Sequence, residues 1–295
     1  MKLLWNSFLI LSLIALLGSC SVSIPNARPP ATTFPLPPVP QAVPVALSAP
    51  APISTSTPSE IAPNDPSPPQ ILEAHPPQRH SLKVSSSSLN GTTFTALTFD
   101  RRDYFLKVID QKEGPGTEFA RAEFAGRGSL AAINGGFFNP DGSPLGLVIT
   151  DGQSRGAFNS HSFLGTGIID GENTILSHRK NYQKSSELLQ SGPRLVWNQE
   201  RLIGLSKSKE RPRSFVIWDG NHHFGIGHAD RATLQGLANN LQAQPLEGFH
   251  IKYAINLDGG TSCDLWVSNR IPGGGFTRSS LFRKKARNYL ALRKR

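Results

Sequence analysis

Cysteine is nearly absent from this chain: its 295 residues contain two, Cys20 and Cys263. The first closes an apolar N-terminal run, so Cys263 is the one thiol left downstream and no disulfide can form within the folded part. Stability there must come from a hydrophobic core. Long apolar runs are also lacking. Leu3 to Leu17 covers about 15 residues, too short to cross a bilayer as a helix. No internal repeat recurs at the periods of roughly 20 to 50 residues that mark solenoids and propellers, and strands do not alternate with helices, which argues against a doubly wound nucleotide fold. Acidic residues are missing from Leu265 to Arg295, which holds nine Lys or Arg; taking those nine from the formal charge of +10 leaves the rest of the chain near +1. The basicity therefore belongs to the C-terminus.

The N-terminus has the features of an export signal. Lys2 supplies a positive start, Leu3 to Leu17 the apolar stretch, and Leu17-Gly18-Ser19-Cys20 a small-residue close. That close resembles the bacterial lipoprotein cleavage box, which implies that residues 1–20 are a signal peptide and that Cys20 becomes the lipidated first residue. Acyl chains contribute about 0.8 kcal/mol per buried methylene, so more than one chain would anchor the protein firmly. Ser21 after the anchor points to the outer membrane or the periplasmic face of the envelope. An exported protein does not meet nucleic acid, so the basic tail is not read as a nucleic-acid site.

Residues 21–80 hold 17 of the 24 prolines and no hydrophobic period long enough for a helix or sheet. Proline fixes φ and donates no backbone hydrogen bond, so this reads as a disordered Pro-rich linker able to reach on the order of 100 Å from its anchor. From Ser81 the composition changes. Thr92 to Asp100 and Tyr104 to Asp110 are β-rich, with Arg101 to Asp103 as the expected hairpin turn. Further strands are expected at Ala131 to Asn134, Leu145 to Thr150, Thr166 to Asp170, Thr174 to Ser177, Arg194 to Trp197, Ser214 to Trp218, His223 to Gly227, Tyr253 to Asn256 and Leu265 to Ser268. One helix is expected, where Leu234, Leu237, Ala238 and Leu241 recur at helical spacing, with Asp230 or Thr233 as N-cap. The expected fold for residues 81–295 is thus a single α+β domain with a mixed β-sheet core and few helices.

Two strand ends break into glycine pairs: Asn134-Gly135-Gly136-Phe137-Phe138, and Asn256-Leu257-Asp258-Gly259-Gly260-Thr261-Ser262. Each passes an Asn from an apolar strand into a turn where glycine permits positive φ or close approach of a ligand to the backbone. Amides and a carboxylate held at the end of a buried strand can build a site; they can also simply satisfy the turn backbone.

These turns, with Pro144-Leu145-Gly146-Leu147-Val148, Asp151-Gly152, Ser191-Gly192-Pro193-Arg194-Leu195-Val196 and Arg211-Pro212-Arg213, resemble the phosphodiester glycosidase domain family over residues 85–292. The resemblance implies a hydrolase of phosphate-linked sugars, and no cofactor is expected. It implies that Asn134, Gly135, Gly136, Arg213, Asn256, Asp258, Gly259 and Gly260 lie in or beside the active cleft, with Gly192 and Pro193 in its wall. Arg213 offers a planar fork suited to phosphate oxygens, and Asp258 a carboxylate among glycines, placed for the anomeric centre. Asn134 and Asn256 are neutral hydrogen-bond partners for sugar or phosphate. Ser262 can line the site, although Thr261-Ser262-Cys263 departs from the small residue the family often places after the second glycine. Asp151, Asp170, Asp219 and Glu247 are open choices for a second carboxylate.

Cys263 has no base adjacent in sequence and reads as a packed side chain rather than a nucleophile. His222, His223 and His228 invite a metal, yet His222 and His223 would point to opposite faces of an extended chain and no Cys or Glu completes the set, so no metal site is expected. The tail from Arg278 to Arg295 alternates basic residues with Leu281, Phe282, Tyr289, Leu290 and Leu292, as a final strand or helix flanked by solvated charge, or as a contact for anionic polymer or lipid headgroups. The expected function is hydrolysis of a glycosyl phosphodiester in envelope or exopolysaccharide material. The rival is an envelope lipoprotein that binds anionic polysaccharide without turnover.

Overall fold

The computed structural model describes residues 82–111, 121–282 and 286–295. The expected signal peptide over 1–20, the expected lipidation at Cys20 and the expected linker over 21–80 lie outside the described residues. In chain order the strands are β1 (Lys83–Leu89), β2 (Thr92–Asp100), β3 (Tyr104–Asp110), β4 (Ala131–Asn134), β5 (Val148–Thr150), β6 (Gln153–Arg155), β7 (Gly167–Asp170), β8 (Ile175–His178) and β9 (Leu188–Ser191). They continue with β10 (Arg194–Trp197), β11 (Glu200–Arg201), β12 (Arg211–Trp218), β13 (His223–Ala232), β14 (Tyr253–Asn256), β15 (Asp264–Val267), β16 (Phe276–Ser279) and β17 (Asn288–Lys294). Two α-helices accompany them among the described residues, the single turn α1 (Ala122–Ala125) and α2 (Leu234–Gln242).

These strands form three sheets, ordered β1-β2-β13-β12-β14-β10-β11, β16-β15-β4-β17-β3 and β6-β5-β9-β7-β8. Every pairing is antiparallel, so the expected mixed sheet is corrected. A parallel neighbour needs a crossover, usually a helix, and two helices in a sheet-rich domain provide little of that.

The hairpin expected between β2 and β3 is also absent. Both edges of β2 are already occupied, by β1 and β13, and β3 pairs with β17 in another sheet. Asp100 marks the switch: its buried carboxylate accepts from the Arg102 backbone N–H at 2.8 Å and from its Nε at 3.0 Å, turning the chain out of the first sheet.

All three sheets bury one face in a shared core. Leu97, Val216, Ile226 and Ile255 come from the first, Leu106, Ile133, Leu265 and Leu290 from the second, and Val148, Ile169 and Leu189 from the third. The outer face of the seven-stranded sheet is covered separately, where Phe94, Phe215 and Ala229 meet Leu237, Ala238 and Leu241 of α2. That helix starts where expected, with Thr233 Oγ1 accepting from Gly236 N at 2.9 Å. Truncating a fully buried leucine such as Leu241 to alanine would cost roughly 2–5 kcal/mol. The C-terminal segment is a strand, and Tyr289 to Leu292 sit buried between β4 and β3. Among the described residues no helix is long and apolar enough to cross a membrane.

Candidate functional site

The two glycine turns, which begin 122 positions apart at Asn134 and Asn256 and are rooted in different sheets, meet. Asp258 N donates to Gly135 O at 2.9 Å, and Asn134 Nδ2 donates to Asp258 O at 2.8 Å. Gly135 and Gly136 are held from the other side by Asn288, whose carbonyl accepts from Gly135 N at 2.8 Å and whose Oδ1 accepts from Gly136 N at 2.7 Å. The backbone can come this close only because position 135 has no side chain: a Cβ there would stand 2.0 Å from Asn288 Oδ1.

Asn134 is fully buried and its amide is taken up within the protein. Oδ1 accepts from Ser214 Oγ at 2.6 Å and from Asp264 N at 3.0 Å, while Nδ2 serves Asp258. It therefore ties β4, β12, β15 and the Asp258 turn together, and it is not available to a sugar hydroxyl as expected; a residue in the middle of the core satisfies backbone before it can meet a ligand. Asn256 is equally buried. Its Nδ2 donates to Gly192 O at 3.0 Å and Leu257 O at 2.6 Å, and its Oδ1 has no hydrogen-bond partner. Pro193, which follows the cis Gly192-Pro193 peptide, accepts from Asn256 N at 3.0 Å.

The turn surfaces at Asp258 to Thr261, which are half-buried, whereas Ser262 is 5% exposed and Cys263 not exposed at all. Gly260 takes φ +64°, the left-handed region that favours glycine, and starts the short 3-10 turn Gly260–Ser262. Arg213 packs along this turn: a Cβ on Gly259 would lie 3.4 Å from Arg213 Nη1. The guanidinium is buried and is held by two carbonyls, with Nε donating to Ala232 O at 3.0 Å and Nη2 to Lys209 O at 3.3 Å. Among the described residues no carboxylate pairs with it. Burial, and then the neighbouring Arg211, push it down to about 10, so it stays charged at neutral pH.

Cys263 sits at the back of the same turn. Burial pushes its thiol up to about 12, against the opposing influence of a Ser214 hydrogen bond; the Asp258 carboxylate raises it further and Arg213 lowers it. Arg213 thus lies along the turn that carries Asp258, the two residues that the sequence offered for catalysis.

Two residues missed in the sequence, Asp264 and Ser214, complete the surroundings with His228, which the sequence raised only as a metal ligand. Asp264 is buried, its Oδ2 accepts from Ala122 N at 2.8 Å, and its backbone shares Asn134 with Asp258. Ser214 links Asn134 to Cys263. His228 lies directly opposite Ser214 in the β12–β13 register, on the same face of the sheet, 5% exposed and with Nε2 lacking a partner. Each is a polar residue within or at the mouth of an apolar strand, the same signal that Asn134 and Asn256 carry.

The open choices for a second carboxylate are engaged in other ways. Asp151 pairs with Lys107, Asp170 accepts from Ser185 Oγ at 2.8 Å, Asp219 pairs with His223 at 2.9 Å, and Glu247 is exposed. Nor do the three imidazoles converge, since His223 faces Asp100 and His228 faces Thr95, five residues further along the same strand. A cavity of about 420 Å³ lined by Lys107, Asp151, Glu187 and Arg295 shares no residue with the site, and its Lys107 is already paired with both carboxylates.

The described residues thus form an antiparallel β domain in which two amide–glycine turns meet beside Arg213, with which no described carboxylate pairs. The family model for phosphodiester glycosidase matches residues 127–291, more than half of the chain, and the chain belongs to that family. The fold is similar to that of a hypothetical protein from Synechocystis, at 15% identity and a TM-score of 0.54 over 72% of this chain. This chain spans 62% of that protein, less than two thirds of its length. It is also similar to the zebrafish N-acetylglucosamine-1-phosphodiester alpha-N-acetylglucosaminidase catalytic domain auto-inhibited by pro-peptide, at 18% identity and a TM-score of 0.50 over 73% of this chain and 83% of that one. No curated protein matches.

Proposed function

We propose that this protein is an exported hydrolase that cleaves a glycosyl phosphodiester in envelope or exopolysaccharide material, held at the membrane through a lipid on Cys20. The observation that carries the reading is Arg213, a buried cation with which no carboxylate among the described residues pairs, lying along a glycine turn that presents Asp258. A guanidinium kept charged and unpaired is suited to an anion, and its planar fork to two phosphate oxygens.

In this reading water attacks the anomeric carbon while the bond from that carbon to the phosphate oxygen breaks. The oxygen leaves with the bonding pair as a phosphate monoester, and a proton from water is released. Positive charge grows on the sugar ring and negative charge on the departing phosphate. Asp258 supplies the carboxylate at the anomeric centre and Arg213 the countercharge for the leaving phosphate. The backbone around Gly135, Gly136, Gly259 and Gly260 gives the substrate room to approach. Asn134, spent on Ser214, Asp264 and Asp258, and the buried Asn256 position that backbone.

The test is release of free sugar from N-acetylglucosamine α-1-phosphodiesters and related sugar phosphodiesters by the purified protein, beside Asp258→Asn and Arg213→Ala. A loss of 100-fold or more in both variants, about 2.7 kcal/mol of barrier, is expected. No turnover across the panel, with saturable polysaccharide binding retained, would replace the hydrolase with a non-catalytic binder.

A further inference from the structure

Away from the Asp258 turn, three aromatic side chains occupy successive rungs of the seven-stranded sheet. Tyr253 on β14 is paired on one side with Trp197 of β10 and on the other with Trp218 of β12. Ring centroids are 4.8 Å apart in the first pair and 5.1 Å in the second, the latter stacked. All three rings are half-buried and pack against the edge of the shared core.

A cation lies over each ring, Arg194 at 4.9 Å from the Trp197 centroid, Lys252 at 5.6 Å from Tyr253 and Arg101 at 6.0 Å from Trp218. The two ends differ in charge balance. Around Arg101 stand the carboxylates of Asp170, Asp219 and Asp100. Around Arg194 the neighbours are themselves basic: His178 at the end of β8, then Arg179 and Lys180 in the adjoining 3-10 turn Arg179–Asn181. Among the described residues no carboxylate pairs with Arg179, Lys180 or Arg194. Arg194 Nε is buried with no acceptor, and burial together with Arg179 lowers the guanidinium pKa.

Like charges gathered on a half-buried aromatic base destabilise one another unless an anion joins them. Partly exposed aromatic rings flanked by cations suit a ligand with apolar ring surfaces and negative groups at intervals. We propose that the Trp197–Tyr253–Trp218 strip is a binding surface for an acidic polysaccharide, with sugar rings against the aromatics and a carboxylate or phosphate of the polymer at Arg194 and Arg179. This rests on the reading that the protein acts on saccharides and adds a polymer-holding surface outside the candidate cleft. Its effect would be to keep a polyanionic substrate on the enzyme between cleavage events.

The test is affinity electrophoresis of the purified protein through gels containing polygalacturonate, phosphomannan, neutral dextran or polyacrylate. Wild type is expected to be retarded by polygalacturonate or phosphomannan, the stronger of the two naming carboxylate or phosphate as the anion, and to pass freely through dextran. Arg194→Gln with Arg179→Gln should weaken that retardation tenfold or more at unchanged turnover of a small sugar phosphodiester, with the thermal midpoint lowered only by the lost bond from Arg179 Nη1 to Ser162 O. Trp197→Leu provides the second variant and should weaken polysaccharide retardation without altering any response to polyacrylate. Unchanged retardation of the variants, or polyacrylate as effective as the polysaccharides, would overturn the proposal. Retardation without any turnover of the small substrate would uphold the strip while removing the hydrolase reading.

Discussion

The side-chain amide of Asn134 donates to the backbone carbonyl of Asp258 at 2.8 Å, joining the end of one sheet to the turn that leaves another. Its oxygen serves Ser214 and Asp264 at the same time, so one buried amide satisfies three partners. Replacing it with alanine strands a hydroxyl, an N–H and a carbonyl, each worth about 1–3 kcal/mol if left buried and unpaired, less whatever relaxation or water recovers. The expected loss for Asn134→Ala is about 3 kcal/mol in urea unfolding, with hydrolysis falling through disorder of the Asp258 turn. A loss below 1 kcal/mol would mean that this amide does not hold the two turns together.

Gly135 reports the same junction from the opposite side. The Cβ of Gly135→Ala would stand 2.0 Å from Asn288 Oδ1 and 3.1 Å from the Asn288 carbonyl, so the Asn288 amide has to swing away and release Gly136 N. Overpacking of this kind costs about 1–3 kcal/mol. Gly128→Ala is a useful comparison, because no atom lies within 4 Å of its Cβ, although φ is +79° there and only backbone strain is added. Thermal unfolding should rank Gly135→Ala well below Gly128→Ala; the reverse order would show that the close approach to Asn288 is relaxed in solution.

What was legible in the sequence follows from where each signal was local. Central strands were readable because both faces are buried: in β2, Phe94 and Ala96 face α2 while Leu97 and Phe99 face the shared core, leaving an apolar run between turns. Strand β1 was missed although Asn90-Gly91 is a two-residue hairpin turn with both φ positive. As an exposed edge strand it carries four consecutive serines and shows no apolar period. The glycine turns announced themselves as segments, and Arg213 lies along the second of them. The partners of Asn134 could not be read, because hydrogen bonds to Ser214 and Asp264 span 80 and 130 positions and depend on how the sheets stack. The β2–β3 hairpin failed for a related reason, since a short connection shows that two strands are adjacent in sequence and not which edges are still free.

Cys263 offers a direct test of how tightly the Asp258 turn is packed. The thiol is fully buried and held up near 12, so native protein should resist iodoacetamide at pH 8 and react once urea exposes it. Rapid alkylation of the folded protein would show that the turn opens, and would restore the thiol as a candidate group in the chemistry.

His228 makes stability depend on pH. Burial, with a smaller push from Arg278 and against the pull of Asp230, lowers its pKa to about 4, whereas in the unfolded chain it titrates near 6.5. Between those values the unfolded state binds the extra proton, so stability falls as pH falls through this window and the full contribution is present above about 6.5. Going from pH 7.5 to pH 5, this one imidazole should remove about 2 kcal/mol. Urea unfolding at both pH values, for wild type and His228→Gln, isolates the effect, because the variant's own cost appears at both pH values and cancels in the comparison. The pH-dependent loss should shrink by about 2 kcal/mol in the variant. Parallel losses would mean that the imidazole opposite Ser214 is already solvated or charged in the folded protein, and that its unpartnered Nε2 meets water.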